Sequence, residues 1–158
     1  MRVKLIWLVL VVLFAAACKN GPDLEEPPEI RYGEDTCTRC LMIINEARYA
    51  ASYVTGTGEV RYFDDLGEMF AYLSETPENV VGFWVHDYDT EAWVKGRDAH
   101  YVAADGLRTP MGLDIVAFST LEQAEHLTAE VGGKIYSFES LMALAASGEI
   151  ELAHEDND

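Results

Sequence analysis

Cys37-Thr38-Arg39-Cys40-Leu41-Met42 places two thiols and a thioether within six residues. All three sulfurs are soft donors, and a Cys-x-x-Cys supports four kinds of chemistry. A redox dithiol needs its first cysteine at a helix N-terminus inside a βαβ pattern, where the thiolate is stabilised. Here the apolar run Leu41-Met42-Ile43-Ile44 follows, without thioredoxin-like order. A structural zinc site needs four ligands, and His86 and His100 could complete the set only through tertiary contact. A Cys37–Cys40 disulfide is open to an exported chain, and would also be the resting form of an empty metal site. The fourth reading uses Met42. Thiolate with thioether suits Cu(I), whereas zinc gains little from thioether. Met69 and Met142 fall on apolar helix faces and read as core filler. Met111 lies in the loop Arg108-Thr109-Pro110-Met111-Gly112, where it is either a remote fourth sulfur or a buried plug.

The elements that must position these sulfurs begin beyond the motif. Residues 48–55 alternate as a strand, Gly56-Thr57-Gly58 turns the chain, and residues 59–63 form the second arm of a hairpin. Asp64 is placed to cap a helix over residues 65–74, with Leu66, Met69, Phe70 and Leu73 at core-facing spacing and Pro77 beyond its end. Residues 80–86 are an apolar strand. The second half repeats this β-β-α-β order. Residues 92–95, 100–104 and 115–118 are strand candidates, and Ser119-Thr120-Leu121-Glu122 reads as a capping box. Gly132-Gly133 stops that helix, residues 134–138 form a strand, and residues 139–146 a last helix. The expected fold class is α+β: two ββαβ units packed together, each covering the other's open sheet.

Residues 1–17 read as a bacterial lipoprotein signal peptide: Arg2 and Lys4, an apolar run too short to span a bilayer, then Ala15-Ala16-Ala17 before Cys18. Cys18 is the expected lipid attachment site, and several acyl chains together anchor stably. Residues 18–35, acidic and Pro-rich, read as a flexible tether. Residues 36–148 form the expected domain and 149–158 an acidic tail. The formal net charge is −17, from 28 acidic against 11 basic residues. Such a chain repels phosphate backbones, which excludes nucleic acid as a partner.

Several short motifs then fall in one order: Cys-x-x-Cys-x-Met, Phe63-Asp64-Asp65, Thr109-Pro110-Met111-Gly112, Ala117-Phe118 and Gly132-Gly133. In that order they resemble the NosL family of membrane-anchored copper chaperones, associated with assembly of the copper centres of nitrous oxide reductase. The resemblance covers roughly residues 37–141. It implies a pair of ββαβ units similar to the organomercurial lyase MerB, a Cu(I) cargo, ligand status for Cys40 and Met42, and attention to Met111. It also implies a copper donor or transporter, a copper acceptor enzyme, and a lipid-anchored place in the bacterial envelope facing the periplasm. Leu41 stands where the family pattern has glycine, a change expected to alter the backbone between Cys40 and Met42. Phe63-Asp64-Asp65 reads as strand end and helix cap, because carboxylates are hard donors.

The expected metal ligands are therefore Cys37, Cys40, Met42 and Met111, with His100 as an alternative completing group. The function expected is a binding protein rather than an enzyme. The rival from another class is an envelope thiol–disulfide oxidoreductase using Cys37 and Cys40.

Overall fold

The structure, a computed structural model, describes residues 26–150. The signal peptide, Cys18, the first part of the tether (residues 18–25) and the tail beyond Ile150 lie outside the described residues.

Strand β1 (Ala51–Thr55) turns through Gly56-Thr57-Gly58 into β2 (Val60–Phe63), as the alternation and glycines predict. Helix α1 (Leu66–Glu75) follows and buries Leu66, Met69, Phe70 and Leu73. It closes at Thr76, because a residue before proline is pushed out of the helical region. Strand β3 (Val80–His86) has the predicted bounds. The second unit is β5 (His100–Ala103), β6 (Ile115–Phe118), α2 (Leu121–Val131) and β7 (Lys134–Tyr136), closed by α3 (Phe138–Ala146). In both units the first strand lies inside its sheet: with β4 (Trp93–Lys95) at one edge, the sheet orders are β2-β1-β3-β4 and β6-β5-β7, and all these strand pairs are antiparallel. The two ββαβ units are thus present as expected.

Strand β4 (Trp93–Lys95) differs. The sequence places it at the opening of the second half, yet it pairs with β3 at the edge of the first sheet. Three residues carry too little pattern to say which edge they will join. The sheets meet through a parallel bridge between Asp87 and Ala117. The Asp87 carboxylate accepts from the backbone of Asp89, Thr90 and Ser119, stitching the end of β3 to the start of α2. Between the layers Phe70 meets Tyr101 edge-on at 5.5 Å, and Phe83 and Phe138 pack at 4.5 Å.

Two caps sit one residue later than expected. Asp65, not Asp64, caps α1 by accepting from the Gly67 amide. The capping box of α2 is Thr120 with Gln123 rather than Ser119 with Glu122. The start of the fold is also earlier. Ile30 is buried in the core, Gly33 donates to the Ile44 carbonyl, and the Tyr32 hydroxyl meets His86 Nε2 at 2.8 Å. Residues 30–35 therefore pack on the domain instead of belonging wholly to the tether. Among the described residues no helix is long and apolar enough to cross a membrane.

Candidate metal centre

The Cys-x-x-Cys motif occupies the tip of a narrow loop. Thr36 and Ile43 form an antiparallel bridge; the Cys37 amide donates to the Met42 carbonyl at 2.8 Å, and the Leu41 amide to the Cys37 carbonyl at 3.1 Å. Such closure requires one residue in the left-handed region. That residue is Leu41, at φ 63°. The substitution expected to alter the backbone thus leaves a conformation glycine would favour, at a cost of about 1–2 kcal/mol for an L-residue. Leu41 is 74% exposed, so little packing offsets that cost. Two bonds pin the loop to the edge strand β2: the Thr38 amide donates to the Tyr62 carbonyl, and the Tyr62 amide to the Thr38 hydroxyl.

The pinning brings both thiols against the entrance of α1. Cys37 is fully buried and Cys40 half-buried, and both are free. Cys40 Sγ lies 3.3 Å from Asp64 Oδ1, and Cys37 Sγ lies 3.8 Å from Glu68 Oε2. One donor atom from each of Cys37, Cys40, Asp64 and Glu68 falls within 4.8 Å of every other. Asp64 is buried and its Oδ2 has no hydrogen-bond partner, an expensive arrangement unless a cation or a proton comes to it. The first turn of α1 adds its positive end to the same place.

Burial pushes both thiols above the usual cysteine range; for Cys40 the neighbouring Asp64 adds to it. Both are thiols at neutral pH, and ligation must displace their protons. Arg39, between the two cysteines, reaches Glu68 Oε1 at 2.5 Å and Glu75 Oε1 at 2.7 Å, tying the loop to α1.

Of the expected ligands, Cys37 and Cys40 are brought together. Met42 follows on the same loop and is 48% exposed. The Met111 loop arrives from the other direction: the Met111 amide donates to Asp65 Oδ2 at 2.9 Å while Asp65 Oδ1 caps α1. Met111 is partly buried and packs against the core. Neither histidine belongs to the cluster. His100 sits on β5 opposite Phe118. His86 packs at a tilt against Trp93, ring centres 3.7 Å apart, and donates from Nδ1 to the Glu91 carbonyl, leaving Nε2 to accept from Tyr32.

Asp64 and Glu68 are the residues that sequence reasoning missed at this site. The signal was present in Asp64-Asp65-Leu66-Gly67-Glu68: one aspartate suffices to cap, which leaves its neighbour unassigned, and Glu68 lies four residues from Asp64, on one side of the first turn.

The sequence model of the NosL family matches residues 30–144. No curated protein matches the chain. Among solved structures, the crystal structure of the copper chaperone NosL from Shewanella denitrificans superposes with a TM-score of 0.63 at 22% identity, covering 72% of this chain and 93% of that one.

Proposed function

The chain belongs to the NosL family, and from that premise we propose that it is a Cu(I) metallochaperone that carries copper to an extracytoplasmic enzyme. The observation carrying the proposal is the meeting of two free thiols with a buried carboxylate oxygen that lacks a partner. Thiolates give Cu(I) its strongest protein donors and Cu(I) is satisfied by few of them. Cys37 and Cys40 bind the ion, and Met42 or Met111 supplies a third, thioether ligand that protonation does not compete for. Asp64 Oδ1 lies 3.3 Å from Cys40 Sγ and accepts that thiol's hydrogen bond until the proton is lost to solvent on ligation. Low coordination permits handover: an incoming donor from the acceptor joins before Cys40, the more exposed thiol, departs.

Nitrous oxide reductase is the proposed acceptor, through the family. Residues 1–17 are the proposed signal and Cys18 the lipid attachment, which would hold the domain at the envelope membrane facing the periplasm. Acidic charge of −17 suits a basic docking face on donor or acceptor. The oxidoreductase rival is disfavoured by the electrostatics. An attacking cysteine needs a lowered pKa beside cationic groups, whereas these thiols are raised and face carboxylates.

The test is anaerobic titration with Cu(I) against a competing chelator. One equivalent should bind tightly to the parent, and Cys40→Ser should weaken it by at least about a hundredfold, as expected for loss of a thiolate ligand. Equal affinity of Cys40→Ser and parent would end the proposal.

A further inference from the structure

The protein places a permanent cation of its own inside the motif that holds the thiols. Arg39 lies between Cys37 and Cys40 in sequence, and its guanidinium meets Glu68 Oε1 at 2.5 Å. Glu68 is almost fully buried, and its other oxygen faces Cys37 Sγ at 3.8 Å. The second nitrogen of Arg39 is held by Glu75 at 2.7 Å, two turns further along α1, so the guanidinium is fixed from both sides.

We propose that Arg39 is a specificity-determining residue: by engaging Glu68 Oε1 it withholds one of that carboxylate's two oxygens from the metal, and its charge biases the cluster toward a univalent soft ion over a divalent one. The inference rests on the Cu(I) reading above. Two thiols and two carboxylates without Arg39 form a mixed donor set of four, and Zn(II) accepts sulfur and carboxylate oxygen together in four-coordinate sites. With one Glu68 oxygen committed to an ion pair, the remaining set is poorer in hard donors, and Cu(I) needs none of them. The fixed positive charge acts in the same direction, because its repulsion of a divalent ion is twice that of a univalent one at equal distance. A guanidinium remains charged at every pH the protein meets. The bias therefore comes from position and charge together, and a lysine should retain part of it while a neutral side chain should not.

The experiment measures Cu(I) and Zn(II) dissociation constants of the full chain by anaerobic competition, for the parent, Arg39→Met, Arg39→Gln and Arg39→Lys. The parent's Cu(I) titration reports first on the metallochaperone reading; a parent that binds no Cu(I) removes both proposals. Given a binding parent, the neutral variants should lose about ten- to a hundredfold in Cu(I)-over-Zn(II) preference, chiefly through tighter Zn(II) binding, and Arg39→Lys should recover most of it. Should Arg39→Met fail to fold, Arg39→Gln carries the test, since a polar side chain is better tolerated beside buried Glu68 while the charge is removed. A merely structural tie predicts that all variants weaken both metals alike. That result, or neutral variants within threefold of the parent's preference, overturns the inference while leaving Cu(I) binding intact.

Discussion

Replacing Leu41 by glycine should stabilise the protein, although it deletes an apolar side chain. Leu41 sits at φ 63°, a region that costs an L-residue about 1–2 kcal/mol. Glycine removes that cost and adds backbone entropy to be lost on folding, about 0.5–1 kcal/mol. The leucine side chain is 74% exposed, so its removal forfeits little burial. The balance is about 0.5–1 kcal/mol in favour of Leu41→Gly, or a rise in Tm of ~2–5 °C for a domain of this size. Leu41→Ala keeps a Cβ at positive φ and should melt within about 2 °C of the parent. Thermal melts of the three metal-free proteins, with urea titrations beside them, read the difference. The same variant should keep the parent's Cu(I) affinity within about threefold, because the loop already has the shape glycine would give it. A glycine variant melting below the parent would show that the left-handed turn carries no strain or that Leu41 is held by contacts, and the reasoning about the loop would fail.

The Asp87 carboxyl makes a second test. Burial raises its pKa, but hydrogen bonds from Ser119 and Thr90 outweigh that and hold it at about 2. A depressed carboxyl contributes above its unfolded value near 4 and loses that contribution as pH falls toward 2, here about 2 kcal/mol. Asp87→Asn should therefore be less stable than the parent at pH 7, and the gap should close between pH 4 and pH 2; urea curves that stay parallel would refute it. Gly133 has φ 94°, and an added Cβ would run into the Ala103 carbonyl and the Ala104 side chain. Gly133→Ala should cost roughly 2–4 kcal/mol, seen as a drop in urea midpoint without a change in m. Because both thiols are protonated at neutral pH, Cu(I) affinity should rise by about tenfold per pH unit for each thiolate formed between pH 6 and 8. The slope counts the thiolates, and a flat profile would remove cysteine from the ligand set.

How far the sequence carries can be judged residue by residue. Strand β3 and the stop at Gly132 were legible because a long apolar run and a glycine pair leave one local solution. Each misplaced cap lay between two adjacent residues equally suited to the task. Asp64 and Asp65 both can cap, and what decides is tertiary: Cys40 approaches the first and the Met111 amide the second. Likewise Ser119-x-x-Glu122 and Thr120-x-x-Gln123 are both capping boxes, and Gln123 Nε2 also reaches Asp87 and Asp89 across the sheet junction. Glu68 was illegible as a buried residue, because an acidic side chain in a first turn is ordinarily a solvated partner of the helix dipole. Only the folded loop, bringing Arg39 and Cys37 over it, explains its burial. Residues 30–35 look like a tether by composition, and nothing in the sequence announces that Tyr32 finds His86 more than fifty residues away.

The central claim, that this loop holds cuprous ion on sulfur, is tested most directly by X-ray absorption at the copper edge of protein loaded anaerobically with one equivalent. A Cu(I) edge is expected, with a first shell of two or three sulfur scatterers, reduced in number by Cys40→Ser. A first shell dominated by oxygen or nitrogen, or one unchanged by that substitution, would contradict it.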